Sequence, residues 1–242
     1  MARKPPGGGF VTMTKSFEDD MADCTLAEIG LMSLMITSAS TTPLGSIYRR
    51  YEWGSLPGSS EEMVDKALEG LEAKGKIVRS GHDILIKSWV RRRTFITPNY
   101  LKACLYPLQV QVKDPLMRVV LATELLRKDI ASIEPAAQVR GSKDAAGRTY
   151  AKGQQAHYQA LELIWEELTG KGLPPAKEIT GSVEEPNQEM VGHILDMREF
   201  PEAVKELDKR RWVCVQPSLA EHIREAFYGA NVKPIRGARE AT

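Results

Sequence analysis

Residues 44–89 change from helical to strand periodicity across two glycine stops, and the order of those changes constrains the fold more than any other stretch. From Ser60-Glu61-Glu62 onward, Val64, Ala67, Leu68 and Leu71 recur at three and four residues, which puts them on one face of a helix with a serine N-cap. Gly75 stops that helix. Lys76-Ile77-Val78-Arg79 and Ile84-Leu85-Ile86-Lys87 are too short for helices and read as strands, with Ser80-Gly81-His82-Asp83 as the hairpin turn between them. Upstream, residues 44–53 read as a short helix with Ile47, Tyr48 and Tyr51 available to pack and Arg49 and Arg50 projecting outward; Gly54 to Gly58 make a turn. Helix, turn, helix and a two-stranded wing, in that order, spell a winged helix-turn-helix, a layout that binds nucleic acid.

The expected fold class is therefore mainly α with a small β-wing. Residues 1–9, MARKPPGGG, have nothing to pack and read as a disordered arm, able to lie along phosphates but more simply a tail. Residues 10–96 form the winged domain. It begins with a short strand at Phe10 to Met13 and a first helix capped by Thr25 with Glu28 in the capping-box position, Leu26, Ile29, Met32 (or Ser33) and Ile36 facing inward. A helical extension follows at 97–132, its second helix opened by Asp114-Pro115 and carrying Leu116, Val119 (or Val120), Thr123 and Leu126. Residues 133–149 are rich in Ala, Gly, Ser and charge, with almost nothing large and apolar, and read as a linker. A mostly helical C-terminal domain spans 150–230: a helix to Thr169 ended by Gly170, further helices at 188–198 and 201–209, a β-type run at 211–216, and a last helix from Pro217 carrying Leu219, Ile223 and Phe227. Residues 231–242 form a basic tail.

Bulk charge decides little. Thirty-three Lys and Arg against 32 Asp and Glu leave +1 overall, and residues 1–96 hold 13 basic against 12 acidic side chains. Cys24, Cys104 and Cys214 stand apart among apolar neighbours, as buried thiols in a reducing compartment do, and neither an export signal nor a run of ~18 apolar residues is present. A cytoplasmic location and no membrane contact are expected. The chain has no GxxxxGK[ST], no GxGxxG after a strand, no HExxH, no GxSxG and no CxxC, and its four histidines have no second ligand at metal spacing. No catalytic residue, no metal and no cofactor is assigned, and no enzyme activity is expected.

The helix expected to read a groove, residues 59–74, carries Glu62, Asp65, Glu69 and Glu72 outward against Lys66 alone among mid-helix cations. In one arrangement its N-terminal end, with Ser59 and Ser60, meets the DNA while the acidic stripe points away. In the favoured one, contact falls on Arg49, Arg50, Arg79, His82 and Lys87, with the run of three arginines Arg91-Arg92-Arg93. Consecutive side chains diverge, so three arginines cannot all lie against a core. Trp89, leaving the last wing strand, is expected to close the small domain's core rather than to stack on a base.

The helix TLAEIGLMSLMITSA, then TPLG, SSEEMVDKALEGLEAKGKI and ILIKSWVRR, preceded by Phe17, Asp19 and Asp20, resemble winged-helix replication proteins of phages and Gram-positive bacteria, the replisome-organiser and DnaD-like initiators. The likeness covers about residues 10–130, KDPLMRVVLATELLRK included, and stops by Gly141. It implies a phage-encoded protein of the host cytoplasm that binds double-stranded DNA, or single strands, at an origin. It further implies a replicative helicase or helicase loader as partner, with self-association through the C-terminal part. The same domain equally serves transcriptional regulators, and a scaffold without DNA contact would turn its acidic helix to a basic protein.

Overall fold

The helices start and stop where capping residues and glycines direct them. The computed structural model describes residues 15–38, 40–49, 51–92, 105–106, 108–127, 158–174 and 186–229. The expected arm at 1–9, the strand at Phe10 to Met13, the linker at 133–149 and the basic tail at 231–242 lie outside the described residues.

In order, the elements are α1 (Lys15–Asp20), α2 (Leu26–Thr37), β1 (Ser46–Tyr48), a 3₁₀ turn (Tyr51–Ser55), α3 (Glu61–Ala73), β2 (Ile77–Ser80), β3 (Asp83–Ile86), α4 (Trp89–Arg92), α5 (Pro115–Leu126), α6 (158–169), α7 (Gln188–Leu195), α8 (Phe200–Lys209) and α9 (Pro217–Tyr228). The molecule is mainly helical with one small antiparallel sheet in the order β1-β3-β2. Thr25 caps α2 in a full capping box with Glu28, and Ser60 caps α3. After α3, Gly75 (φ +63°) donates to the carbonyl of Glu72 and Lys76 donates to that of Leu71, each at 2.9 Å. These two bonds form a Schellman stop, which needs a left-handed residue at Gly75. Gly81, at φ +58°, is the first of two residues joining β2 to β3, where a tight hairpin requires a positive φ.

Three expectations are corrected. Residues 44–53 do not make a helix: Ser46, Ile47 and Tyr48 pair with Leu85, Ile84 and Asp83 as an edge strand, and only Tyr51–Ser55 turn as 3₁₀. The β-branched and aromatic pair Ile47-Tyr48 prefers the pleated surface that β3 offers. Residues 211–216 are a turn, with Arg211 and Trp212 both left-handed (φ +52° and +56°). In α2 the buried face is Glu28, Leu31, Met32 and Met35, whereas Leu26 is exposed. Glu28 turns inward because Lys74, at 2.5 Å, and Thr25 satisfy its carboxylate. Burial alone would raise its pKa, but the Lys74 bond and the Thr25 backbone and hydroxyl bonds bring it below the ordinary carboxylate value.

Both faces of the sheet are covered. Ile47, Ile77, Ile84 and Ile86 join Met32, Met35, Val64, Leu68 and Leu71 of α2 and α3 in one apolar cluster. Their neighbours in the strands, Val78 and Leu85, point the opposite way and join Leu44, Val90, the buried residues of α5 and those of α6 to α9 in a second. Helix α5 is the centre of that second layer, buried continuously from Leu116 to Leu125 apart from Arg118. A helix buried on nearly every side, with Thr123 and Glu124 the polar exceptions inside it, belongs to the interior. Arg118 pairs with Glu199 at 2.9 Å and donates to the Glu167 carbonyl at 2.7 Å, tying α6 and the start of α8 to α5. The buried His193 is a satisfied core histidine: its Nδ1 accepts from Trp165 Nε1 at 3.2 Å, and burial first, then Lys171, lowers its pKa. Burial pushes the Cys214 thiol up to about 11, which keeps it protonated and unreactive at neutral pH.

Trp89 closes the corner between the two clusters. Its indole N–H donates to the Pro43 carbonyl at 3.1 Å, it packs on the α2–α3 cluster, and it lies so close over Gly45 (φ +82°) that a side chain there would run into its Cβ. Trp89→Ala therefore removes a half-buried aromatic and leaves a void. Thermal melting should show a loss of about 2–3 kcal/mol, below the 3–5 typical of a fully buried ring; an unchanged melting temperature would show that the indole closes no core.

Candidate nucleic-acid interface

The nominated residues with described side chains lie at the start of α3 and around the β2–β3 hairpin, and three of the four lysines and arginines among them, Arg49, Lys66 and Arg79, are held by carboxylates. Arg49 follows β1, and its backbone N–H donates to the His82 carbonyl at 2.7 Å, which anchors the chain to the hairpin turn. Its guanidinium is not projected outward as expected. It folds onto the first turns of α3, 2.9 Å from Glu61 and 2.8 Å from Asp65, and its side chain is only 18% exposed. Arg79, on β2, binds Glu72 through Nε and NH2, each at 2.8 Å, while its backbone N–H donates to the other oxygen of the same carboxylate at 3.0 Å. Arg210, from the end of α8, reaches the same carboxylate with NH1 and bonds the Arg79 carbonyl with NH2. One glutamate thus holds two guanidiniums from parts of the chain far apart in sequence.

Lys66 pairs with Glu62 one turn earlier at 2.8 Å, both highly exposed. Such an exposed i,i+4 pair is worth only about 0.3–0.5 kcal/mol, so Lys66 can change partners cheaply, unlike Arg49 or Arg79. Ser59 is used inside the turn, its hydroxyl donating to the carbonyls of Trp53 (2.6 Å) and Leu56 (2.9 Å), and Ser60 accepts from the Met63 N–H at 3.2 Å as the helix cap. Lys87 is half-buried beside the Gly75 stop, where Lys87 Nζ would sit 3.6 Å from any side chain begun at Gly75. His82 is exposed at the hairpin tip. Arg91 and Arg92 lie in α4, but their side chains, and Arg50 and Arg93 altogether, fall outside the described residues.

The hairpin is also fixed from the side of α5. Ser80 donates to Asp114 at 2.7 Å, and the other oxygen of Asp114 caps α5. Burial raises the pKa of neighbouring Asp83; the His82 charge opposes that shift and the Asp114 charge adds to it. Sequence reasoning misses Glu72, Asp114 and Arg210 in these roles. Glu72 lies seven residues before Arg79 across a recognisable helix stop, so a turn-spanning pair is within its reach. Nothing local announces Arg210, which meets Glu72 from 138 residues away.

The acidic stripe of α3 is thereby largely neutralised from within: Arg49 covers Glu61 and Asp65, Arg79 and Arg210 cover Glu72, and Lys66 covers Glu62. Among the described residues no group of His, Cys, Asp and Glu could hold a metal ion, and no helix is long and apolar enough to cross a membrane. Geometry of this kind can present positive charge and exposed backbone ends to a polyanion.

Glu72 is the restraint on the hairpin's one arginine. Glu72→Gln should release Arg79, so that any polyanion bound on this face is held more tightly, about threefold or more at low salt, while thermal stability falls because two half-buried guanidiniums lose their counter-charge. A heparin or duplex titration with a parallel melt reads both; stability lost with no gain in binding would place Arg79 away from the bound anion.

Comparison with family models, with curated proteins and with solved structures returns no match to this chain.

Proposed function

We propose that residues 26–86 are a winged helix-turn-helix and that the protein binds double-stranded DNA with it. The observation that supports this reading is the order α2, β1, 3₁₀ turn, α3, β2, β3, with the hairpin beside α3 and β1 on its far side, leaving both the first turn of α3 and the hairpin tip exposed. The objection raised by the acidic helix is weakened because Glu61, Glu62, Asp65 and Glu72 already have counter-charges. For the same reason Arg49 and Arg79 are structural in this reading. Phosphate contact falls on Lys66, Arg50 and above all Arg91, Arg92 and Arg93, with His82 at the wing tip and the helix end after Ser59 and Ser60 entering the groove.

The process served is DNA replication, on the strength of the likeness to replisome-organiser and DnaD-like initiators. In that role the layer α5 to α9 recruits a replicative helicase or its loader, or a second copy of the chain, in the host cytoplasm. No catalysis is proposed. A second reading has its own support: Glu62 and Glu69 stay exposed on α3 while two of the nominated arginines are held by carboxylates, as suits a scaffold that meets a basic protein.

A duplex titration at two salt concentrations separates the readings, since phosphate contacts make the logarithm of affinity fall steeply with the logarithm of salt and a scaffold shows no such term. Replacing Arg91, Arg92 and Arg93 together by Ala should weaken binding to every duplex alike and reduce the slope by roughly 0.9 for each phosphate no longer neutralised. A folded triple variant with the parent's affinity and slope would remove these arginines from the interface, whereas a parent protein that shows no salt-dependent duplex binding would favour the scaffold reading.

A further inference from the structure

Tyr48 is a large aromatic side chain that the fold places in the open. It ends the edge strand β1 with 57% of its surface exposed, while Ile47 before it is buried. Its ring stands against the imidazole of His82, centroids 5.5 Å apart and tilted by 41°, and His82 is itself exposed at the hairpin tip. The backbone beneath the pair is fixed three times over: Tyr48 is in register with Asp83, Arg49 N–H donates to the His82 carbonyl at 2.7 Å, and the Arg49 side chain is clamped to α3 by Glu61 and Asp65. Two rings on a rigid sheet edge, kept out of either apolar cluster, form a ready platform.

The flanking chemistry indicates what such a platform takes. Apart from Ile47, which is buried in the core, the chain neighbours of the two rings are Arg49, Gly81 and Asp83, polar or without a side chain, so an apolar peptide would find little to bury there. A flat ring with polar edges suits the site better: it stacks on the tyrosine face and leaves its heteroatoms in water, while the imidazole stands close to an attached phosphate. Building on the proposed DNA-binding function, we propose that Tyr48 and His82 form a stacking site for an unpaired base of single-stranded DNA, beside the duplex contact made by α3 and the arginines, with which it shares His82 alone. Bases inside a duplex are stacked already and offer this site no face, so the site distinguishes melted from paired DNA.

The full-length protein is titrated with an oligothymidylate and with a duplex, and crosslinked by light to the same single strand carrying 5-iodouracil. The crosslink is expected at Tyr48 or His82. Tyr48→Ala should weaken single-strand binding about tenfold, given what stacking on one aromatic contributes, with duplex affinity within about twofold of the parent; Tyr48→Phe, which keeps the ring, should bind the single strand as the parent does. Because Tyr48 is exposed, both variants should melt with the parent. Unchanged single-strand affinity in Tyr48→Ala, equal losses on both DNA forms, or a crosslink elsewhere overturns the stacking site while the duplex function stands. A parent protein that binds neither form overturns the DNA-binding function, and this site with it.

Discussion

The burial of the small sheet on both its faces is the constraint from which the rest follows. Three strands of three or four residues cannot stand alone. Here Ile47, Ile77, Ile84 and Ile86 lean on α2 and α3, while Val78 and Leu85, with Leu44 and Val90 beside them, lean on α5 and the helices behind it. Leaving one such side chain in water costs roughly 1.5–3 kcal/mol, so uncovering four of them costs about as much as an ordinary domain's whole stability. The helices from α5 onward are thus a second half of the core under the sheet.

That packing sets the electrostatics. With the end of α8 lying against the α3–β2 corner, Arg210 meets Glu72, and Val213 places its carbonyl where a side chain at Gly75 would have to be. Glu72 can then hold Arg79 in the plane of the sheet, and Asp114, at the start of α5, can hold Ser80. The same groups that look in sequence like a free basic wing beside a repellent acidic helix are, once folded, each other's partners. Among the described residues, the first turn of α3, Lys66 and the paired rings of Tyr48 and His82 stay exposed on this side.

Much of this is legible in the sequence. The caps Thr25, Ser60 and Asp114, the stops Gly75, Gly81 and Gly170, and the four buried positions of α3 are readable because each depends on neighbours within a turn or two of chain. The edge strand β1 reads as helix because Ser46 to Tyr48 gain their structure from β3, nearly forty residues on. The inward Glu28 escapes notice because its partner Lys74 lies 46 residues away. One further signal lies in β3. Isoleucine, leucine and isoleucine in succession do not alternate with polar residues, and a strand of that pattern is buried on both sides. The partner of Arg79 is local and within reach of inference; that of Glu72 at the end of α8 is not.

Native-state hydrogen exchange tests the shared core most directly. If the layer of α5 to α9 is one half of the core, the amides of Leu85 and Val78 and those in the middle of α5 exchange through a single opening, with the same free energy, and respond together to denaturant. If α5 and the C-terminal helices instead exchange through a cheaper opening while the sheet keeps its full protection, the sheet stands without them and the shared core is refuted.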